Sequence, residues 1–173
     1  MSDEKFSLLY CRLIQEWNCK HVLELGTSLG INALYLASGN PAAQVITFEG
    51  SPEIARIARE SISKVPCDNI QLIEGNIDDT LPGYLSSAPI IDFVFIDANH
   101  RYGPTLQYFE WLSARTHEQS IIVVDDIHYS REMEDAWNMM QVHPCVYTTV
   151  DLYRCGLIFF NPALTKQNVV LQF

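Results

Sequence analysis

Val22-Leu23-Glu24-Leu25-Gly26-Thr27-Ser28-Leu29-Gly30 is a short apolar strand running into a glycine-bracketed turn. Its reading decides the fold. Glycine lets a backbone take positive φ and approach a ligand closely. The apolar run Ile31–Ala37 that follows predicts a helix, punctuated by Gly39-Asn40-Pro41. A helix N-terminus adds free N–H groups and the positive end of a dipole. A dinucleotide would call for G-x-G-x-x-G to seat its pyrophosphate. The loop Gly26-Thr27-Ser28-Leu29-Gly30 does not have that spacing, and Glu24 would repel a pyrophosphate. An acid two residues before the first glycine suits a ligand carrying an ammonium group. A turn of this kind can also be bare scaffold.

The same alternation continues outward. The sequence predicts a helix over residues 4–17, with Phe6, Leu9, Leu13 and Trp17 as its apolar stripe, widened by Leu8 and Ile14. Strands are expected at His21–Leu25, Gln44–Phe48, Ile70–Glu74, Ile91–Ile96 and Ser120–Val124. The last two hold almost no polar residue, as strands buried on both faces of a parallel sheet do. Helices are expected from Pro52 to about Lys64 with Ser51 as cap, and over Tyr102–Arg115 and Ser130–Met140. Ile77–Leu85 reads as a short irregular or helical piece. Val146–Leu152 and Gly156–Phe160 flank Tyr153-Arg154-Cys155 as an antiparallel hairpin, and Val169–Phe173 adds a final strand. The expected fold is α/β: a doubly wound, mostly parallel, Rossmann-like sheet with an antiparallel C-terminal hairpin. One domain over 1–173 is expected, with an N-terminal helix in 1–19, the core in 20–160 and the C-terminal strand in 161–173.

Composition narrows the setting. The 173 residues are 48% hydrophobic and carry a formal net charge of −10. That acidity, unbroken by any Lys/Arg-rich run, argues against a nucleic-acid partner. No apolar run is long enough to span a membrane, and Met1-Ser2-Asp3-Glu4-Lys5 has neither the basic start nor the apolar stretch of a signal peptide. Five cysteines, an odd number without a C-x-x-C pair, read as free thiols in a reducing compartment. A cytoplasmic location is expected.

In open α/β sheets ligands bind beyond the C-terminal strand ends. The second strand ends Phe48-Glu49-Gly50, where an acid can accept hydrogen bonds from both hydroxyls of a ribose. The third runs into Gly75-Asn76-Ile77-Asp78. The fourth ends Ile96-Asp97-Ala98-Asn99-His100 and the fifth Val124-Asp125-Asp126-Ile127-His128. If these two strands are neighbours, three carboxylates converge. Like charges at close range need a counterion, and a divalent cation with oxygen ligands is the simple answer. Separately, Asp97 can contact substrate without metal, Asp125 or Asp126 can cap the helix near Ser130, and His100 can be an ordinary loop residue. His128 reads as a loop residue or a pocket contact.

The E-x-G-x-x-x-G segment resembles motif I of class I S-adenosylmethionine-dependent methyltransferases, whose usual form has glycine at the position of Ser28. The resemblance covers about residues 20–160. It implies a cofactor site of Glu24, Gly26, Thr27, Ser28, Gly30, Glu49 and Gly50, with Asn76 and Ile77 on the adenine and Asp97 near the transferred methyl. The acids at Asp97, Asp125 and Asp126 are similar to those that hold Mg²⁺ in metal-dependent O-methyltransferases, the group that includes the catechol enzymes. Those enzymes have a lysine where His100 stands, and macrolide-sugar methyltransferases have a histidine. The implied general base is therefore His100, and the acceptor leans toward an alcohol on a small molecule. Few elements remain to build a substrate lid, so the pocket is open, closed by a second subunit of a homodimer, or takes a large substrate. A module that binds S-adenosylmethionine without turnover and an NAD-dependent oxidoreductase on the same scaffold are the competing readings.

Overall fold

The computed structural model describes residues 4–172. Met1–Asp3 lie outside the described residues, and so does Phe173, the end of the expected strand Val169–Phe173. The chain divides into two compact units, Met1–Pro89 and Ile90–Phe173, within the 1–173 span read as one domain.

The first unit holds α1 (Glu4–Glu16), β1 (His21–Leu25), α2 (Ile31–Gly39), β2 (Gln44–Glu49), α3 (Pro52–Ile62), β3 (Ile70–Glu74) and α4 (Ile77–Leu85). Its three strands are parallel in the order β3-β2-β1. β1 is buried apart from His21, and β2 is buried between its ends. The C-terminal ends stand level: Leu25 is opposite Phe48, and Glu49 opposite Glu74. Gly26 and Thr27 both donate to Phe48 O at 3.0 Å, and Gly75 N donates to Glu49 O at 2.9 Å. All three loops therefore leave this sheet at one edge. Ser51 caps α3, accepting from Ile54 N, with Pro52 at the first helical position. Ile77–Leu85 is a regular helix capped by Asn76.

The stripe of α1 is rotated from the expected one. Phe6, Tyr10 and Ile14 are buried, at the i, i+4, i+8 spacing, while Leu8 and Trp17 are exposed. Tyr10 had no place in a stripe built on Phe6, Leu9, Leu13 and Trp17. Its side chain is nonetheless fully buried.

The second unit holds β4 (Phe93–Ile96), α5 (Tyr102–Ser113), β5 (Ile121–Asp125), α6 (Arg131–Gln141), β6 (Thr148–Asp151), β7 (Cys155–Phe159) and β8 (Gln167–Val170). The strand order is β4-β5-β7-β6-β8. β4 and β5 run parallel, with every residue buried. β7 lies antiparallel between β5 and β6, so the hairpin's second strand is the inner one. Trp137 of α6 packs on Gly156 of β7; a Cβ there would stand 2.4 Å from the indole. β8 starts earlier than expected and runs parallel to β6. The alternation of helix with parallel strand and the antiparallel C-terminal hairpin are those read from the sequence. Among the described residues no helix is long and apolar enough to cross a membrane.

Candidate active site

In the first unit the turn after β1 is built on left-handed backbone. Gly26 has φ 99°, Ser28 50° and Gly30 79°. At Gly30 a Cβ would also stand 3.2 Å from the carbonyl of Ala58. Ser28 adopts the conformation for which glycine is favoured, and its backbone N–H is put to use: it donates to Glu49 Oε2 at 3.0 Å. Ser51 N donates to Glu49 Oε1, also at 3.0 Å. The Glu49 carboxylate is thus fixed by two backbone donors, and each oxygen keeps lone-pair capacity for a ligand hydroxyl.

Glu24 is fully buried. Asn32 Nδ2 donates to its Oε1 at 2.8 Å and Thr47 Oγ1 to its Oε2 at 2.6 Å. Thr27 Oγ1 lies 2.6 Å from Thr47 Oγ1, and Ser7 of α1 donates to Asn32 Oδ1 at 2.9 Å. Asn32, Thr47 and Ser7 were not read from the sequence. Thr47 carried a signal: it is the polar residue in the middle of an otherwise apolar strand, directly across from Glu24. Gly50 is exposed. Asn76 is exposed and uses its side chain to cap α4 through Asp78 N at 3.1 Å, while Ile77 is buried.

In the second unit β4 and β5 are neighbours, as the argument for converging acids requires. Three residues with positive φ follow them: Asn99 (64°), His100 (47°) and Asp126 (54°). Strain of this sort, of order 1–3 kcal/mol per residue, collects at functional sites. One ligand atom each from Asp97, His100 and Asp126 lies within 4.8 Å of the others. His100 Nε2 is 3.2 Å from Asp97 Oδ1. The hydrogen bond to Asp97 holds the imidazole above the ordinary histidine value, against the lowering effect of burial. His100 Nδ1 is buried without a hydrogen-bond partner.

Asp125 is not in that cluster. The Asp125 side chain is fully buried against Arg154 Nη2 at 2.9 Å, and Asp126 Oδ1 stands 4.0 Å from the same nitrogen. Asp125 Oδ1 has no hydrogen-bond partner. Burial pushes its carboxyl up to about 6, with the Arg154 hydrogen bond opposing. Arg154 stood unremarked in the hairpin turn; nothing in its local pattern announces a partner 29 positions away.

His128 is held from both sides, by Asp151 at 2.9 Å and Glu134 at 3.3 Å. Burial lowers its affinity for a proton, but these two acids together hold it above the ordinary value. With Asp126, Tyr129, Tyr153 and Arg154 it lines an open cavity of about 260 Å³. Tyr129 and Tyr153 are among the most exposed large side chains of the described residues. Neither was singled out for the site from the sequence, because an aromatic residue in a chain this rich in them reads first as core.

The family model "Methyltransferase domain" matches residues 23–127, which spans every residue from Glu24 to Asp126 discussed above. The chain is 33% identical over 134 residues to the O-methyltransferase imqG of Aspergillus flavus, covering 73% of this chain and 51% of that protein. It is 33% identical over 119 residues to the catechol O-methyltransferase of Mycobacterium tuberculosis, covering 68% and 52%. The chain therefore spans about half the length of these curated relatives. Its fold is that of the O-methyltransferase from Bacillus cereus solved in complex with SAH, with a TM-score of 0.80 at 22% identity, over 92% of this chain and 82% of that one. With the family model spanning the glycine turn, both candidate loops beyond it and the acids after β4 and β5, the chain belongs to the methyltransferase-domain family.

Proposed function

We propose that the chain transfers the methyl group of S-adenosylmethionine to a hydroxyl oxygen of a small-molecule acceptor, assisted by Mg²⁺. The observation that carries this reading is the convergence of Asp97, His100 and Asp126 at the ends of two parallel strands. The named O-methyltransferase relatives and the SAH-bound neighbour support it. S-adenosylmethionine supplies a methyl group on a positively charged sulfur. Glu49, set by Ser28 N and Ser51 N, binds the ribose hydroxyls. Glu24 is too deeply buried for direct contact. Its charge acts on the ammonium end through Asn32, in surroundings that screen it weakly.

The donor set fits a divalent cation: two carboxylates within reach of one point, and a buried carboxylate oxygen of Asp125 that lacks a partner. Asp97 and Asp126 would hold it, with Asp125 behind them. Such a cation supplies Lewis acidity that lowers the pKa of an acceptor hydroxyl. Asp97 orients His100 through Nε2, and His100 is the group placed to take the acceptor's proton. Most of the acceleration comes from positioning the two reactants. The five free cysteines support a reducing, cytoplasmic setting.

Calorimetric titration with S-adenosylmethionine, followed by assay of S-adenosylhomocysteine over a panel of alcohols and phenols with Mg²⁺, tests the proposal. Binding is expected, with turnover that Asp126→Asn and chelation both abolish. No binding to the wild type would sink the cofactor reading. Binding without product over the whole panel would leave a carrier module. Turnover unaffected by chelation would remove the metal.

A further inference from the structure

The cavity beside the acid cluster has two tyrosines for walls. Asp126, His128 and Tyr129 reach it from the loop after β5, and Tyr153 and Arg154 from the turn between β6 and β7. It opens on the reacting groups. Asp126 belongs to the cluster with Asp97 and His100, and the rings of Tyr129 and His100 lie 5.9 Å apart between centroids. Tyr153 is 78% exposed and Tyr129 73%. Aromatic side chains carry large apolar areas, and exposed apolar surface gathered at a cavity marks a place where a ligand binds. At about 260 Å³ the cavity is a little below the roughly 300–1,000 Å³ of whole small-molecule sites. It has room for a compact ring system, not for an extended acceptor.

The walls are held in place. Tyr129 N donates to Asp126 O at 2.9 Å. Tyr153 has a left-handed backbone, φ 69°. That conformation is costly for a bulky residue, and strain of this kind collects at functional positions. Asp151 secures the turn through both its oxygens: Oδ1 accepts from Tyr153 N at 2.7 Å, and Oδ2 lies 2.9 Å from His128 Nε2. The other ring nitrogen of His128 is 3.3 Å from Glu134 Oε1. The imidazole fixed in this way backs the Tyr153 ring, with centroids 5.2 Å apart and planes tilted by 31°. A ring anchored from behind has less freedom to lose when a ligand packs on it. Aromatic rings gain most from a partner that is itself flat, offset-stacked or edge-on at roughly 4.5–7 Å. A puckered ring meets them only through scattered C–H contacts.

Building on the methyl-transfer reading above, we propose that Tyr129 and Tyr153 are the specificity-determining walls of the acceptor site and hold the flat aromatic body that bears the reacting hydroxyl. Equilibrium binding tests this without turnover. The probes are 2-naphthol and decahydro-2-naphthol, which share a carbon skeleton and a hydroxyl and differ in flatness. Calorimetry with Mg²⁺ and S-adenosylhomocysteine present is expected to show 2-naphthol binding about tenfold or more tightly than its saturated counterpart. Tyr153→Ala and Tyr129→Ala each narrow that ratio about threefold or more, whereas Tyr153→Phe, which keeps the ring, keeps the ratio. Both side chains are exposed, so truncating either leaves the fold intact. A wild type that binds neither probe, or both equally, overturns the proposal. So does a ratio that both alanine variants leave unchanged. A protein that shows the expected ratios but forms no S-adenosylhomocysteine from S-adenosylmethionine supports these walls and fails the methyl-transfer reading alone.

Discussion

Glu49 shows how a single acid is made ready for a ligand. Two backbone N–H groups grip its carboxylate from loops that leave β1 and β2 at the same level. Removing it takes away charge-assisted hydrogen bonds worth about 1.5–3 kcal/mol each. Glu49→Ala is therefore expected to weaken S-adenosylmethionine binding by about ten- to a hundredfold in calorimetry. Arg154 works on stability instead. Its Nη2 donates to the buried Asp125 carboxylate at 2.9 Å. Breaking a fully buried pair costs about 3–5 kcal/mol. Arg154 is 32% exposed, and solvent screening reduces the figure to about 2 kcal/mol. Urea denaturation of Arg154→Met should show a loss of that size; an unchanged midpoint would mean that the pair does not hold Asp125. Cys145 adds a pH dependence. Burial pushes its thiol above the ordinary value, and the charge of Glu110 adds to the effect. The folded protein holds that proton more tightly than the unfolded chain, so the contribution is complete below the ordinary thiol value and lost as pH rises through the folded one. Cys145→Ala should flatten the fall in stability as pH rises above the ordinary thiol value.

At the scale of elements, α6 and β7 are fitted to each other at one point. The indole of Trp137 occupies the space a side chain at Gly156 would need. Overpacking of this kind costs about 1–3 kcal/mol. Gly156→Ala should lower the melting temperature, and Trp137→Phe should restore part of the loss in the double variant. An additive pair would show that the contact is not the cause. Individual strands and helices were legible in the sequence wherever periodicity was strong, as at His21–Leu25 and Ile70–Glu74, both found where expected. The rotated stripe of α1 and the inner position of β7 were not. Periodicity names apolar positions, but which of them face inward depends on what another element offers.

For the whole molecule, a ligand that binds only the native state raises stability by mass action. Mg²⁺ at about a hundred times its dissociation constant should add about 2.7 kcal/mol, read as a higher melting temperature that chelation reverses. Asp97→Asn and Asp126→Asn should each remove the effect. A Mg²⁺ shift that survives both variants would place the ion elsewhere. The candidate site divides along the same line as the fold. Glu24, the glycine turn, Glu49 and the acids after β4 and β5 could be named from the chain alone, because strand ends in a parallel sheet present their next residues to ligand. Composition and alternation likewise determined the α/β class and the ligand edge. Only the tertiary structure decided that Glu24 is sealed behind Asn32 and Thr47, and that Asp125 turns to Arg154 while Asp126 joins Asp97 and His100. Those partners stand 8 to 29 positions apart, and distances between side chains are set by packing, which a linear pattern does not record.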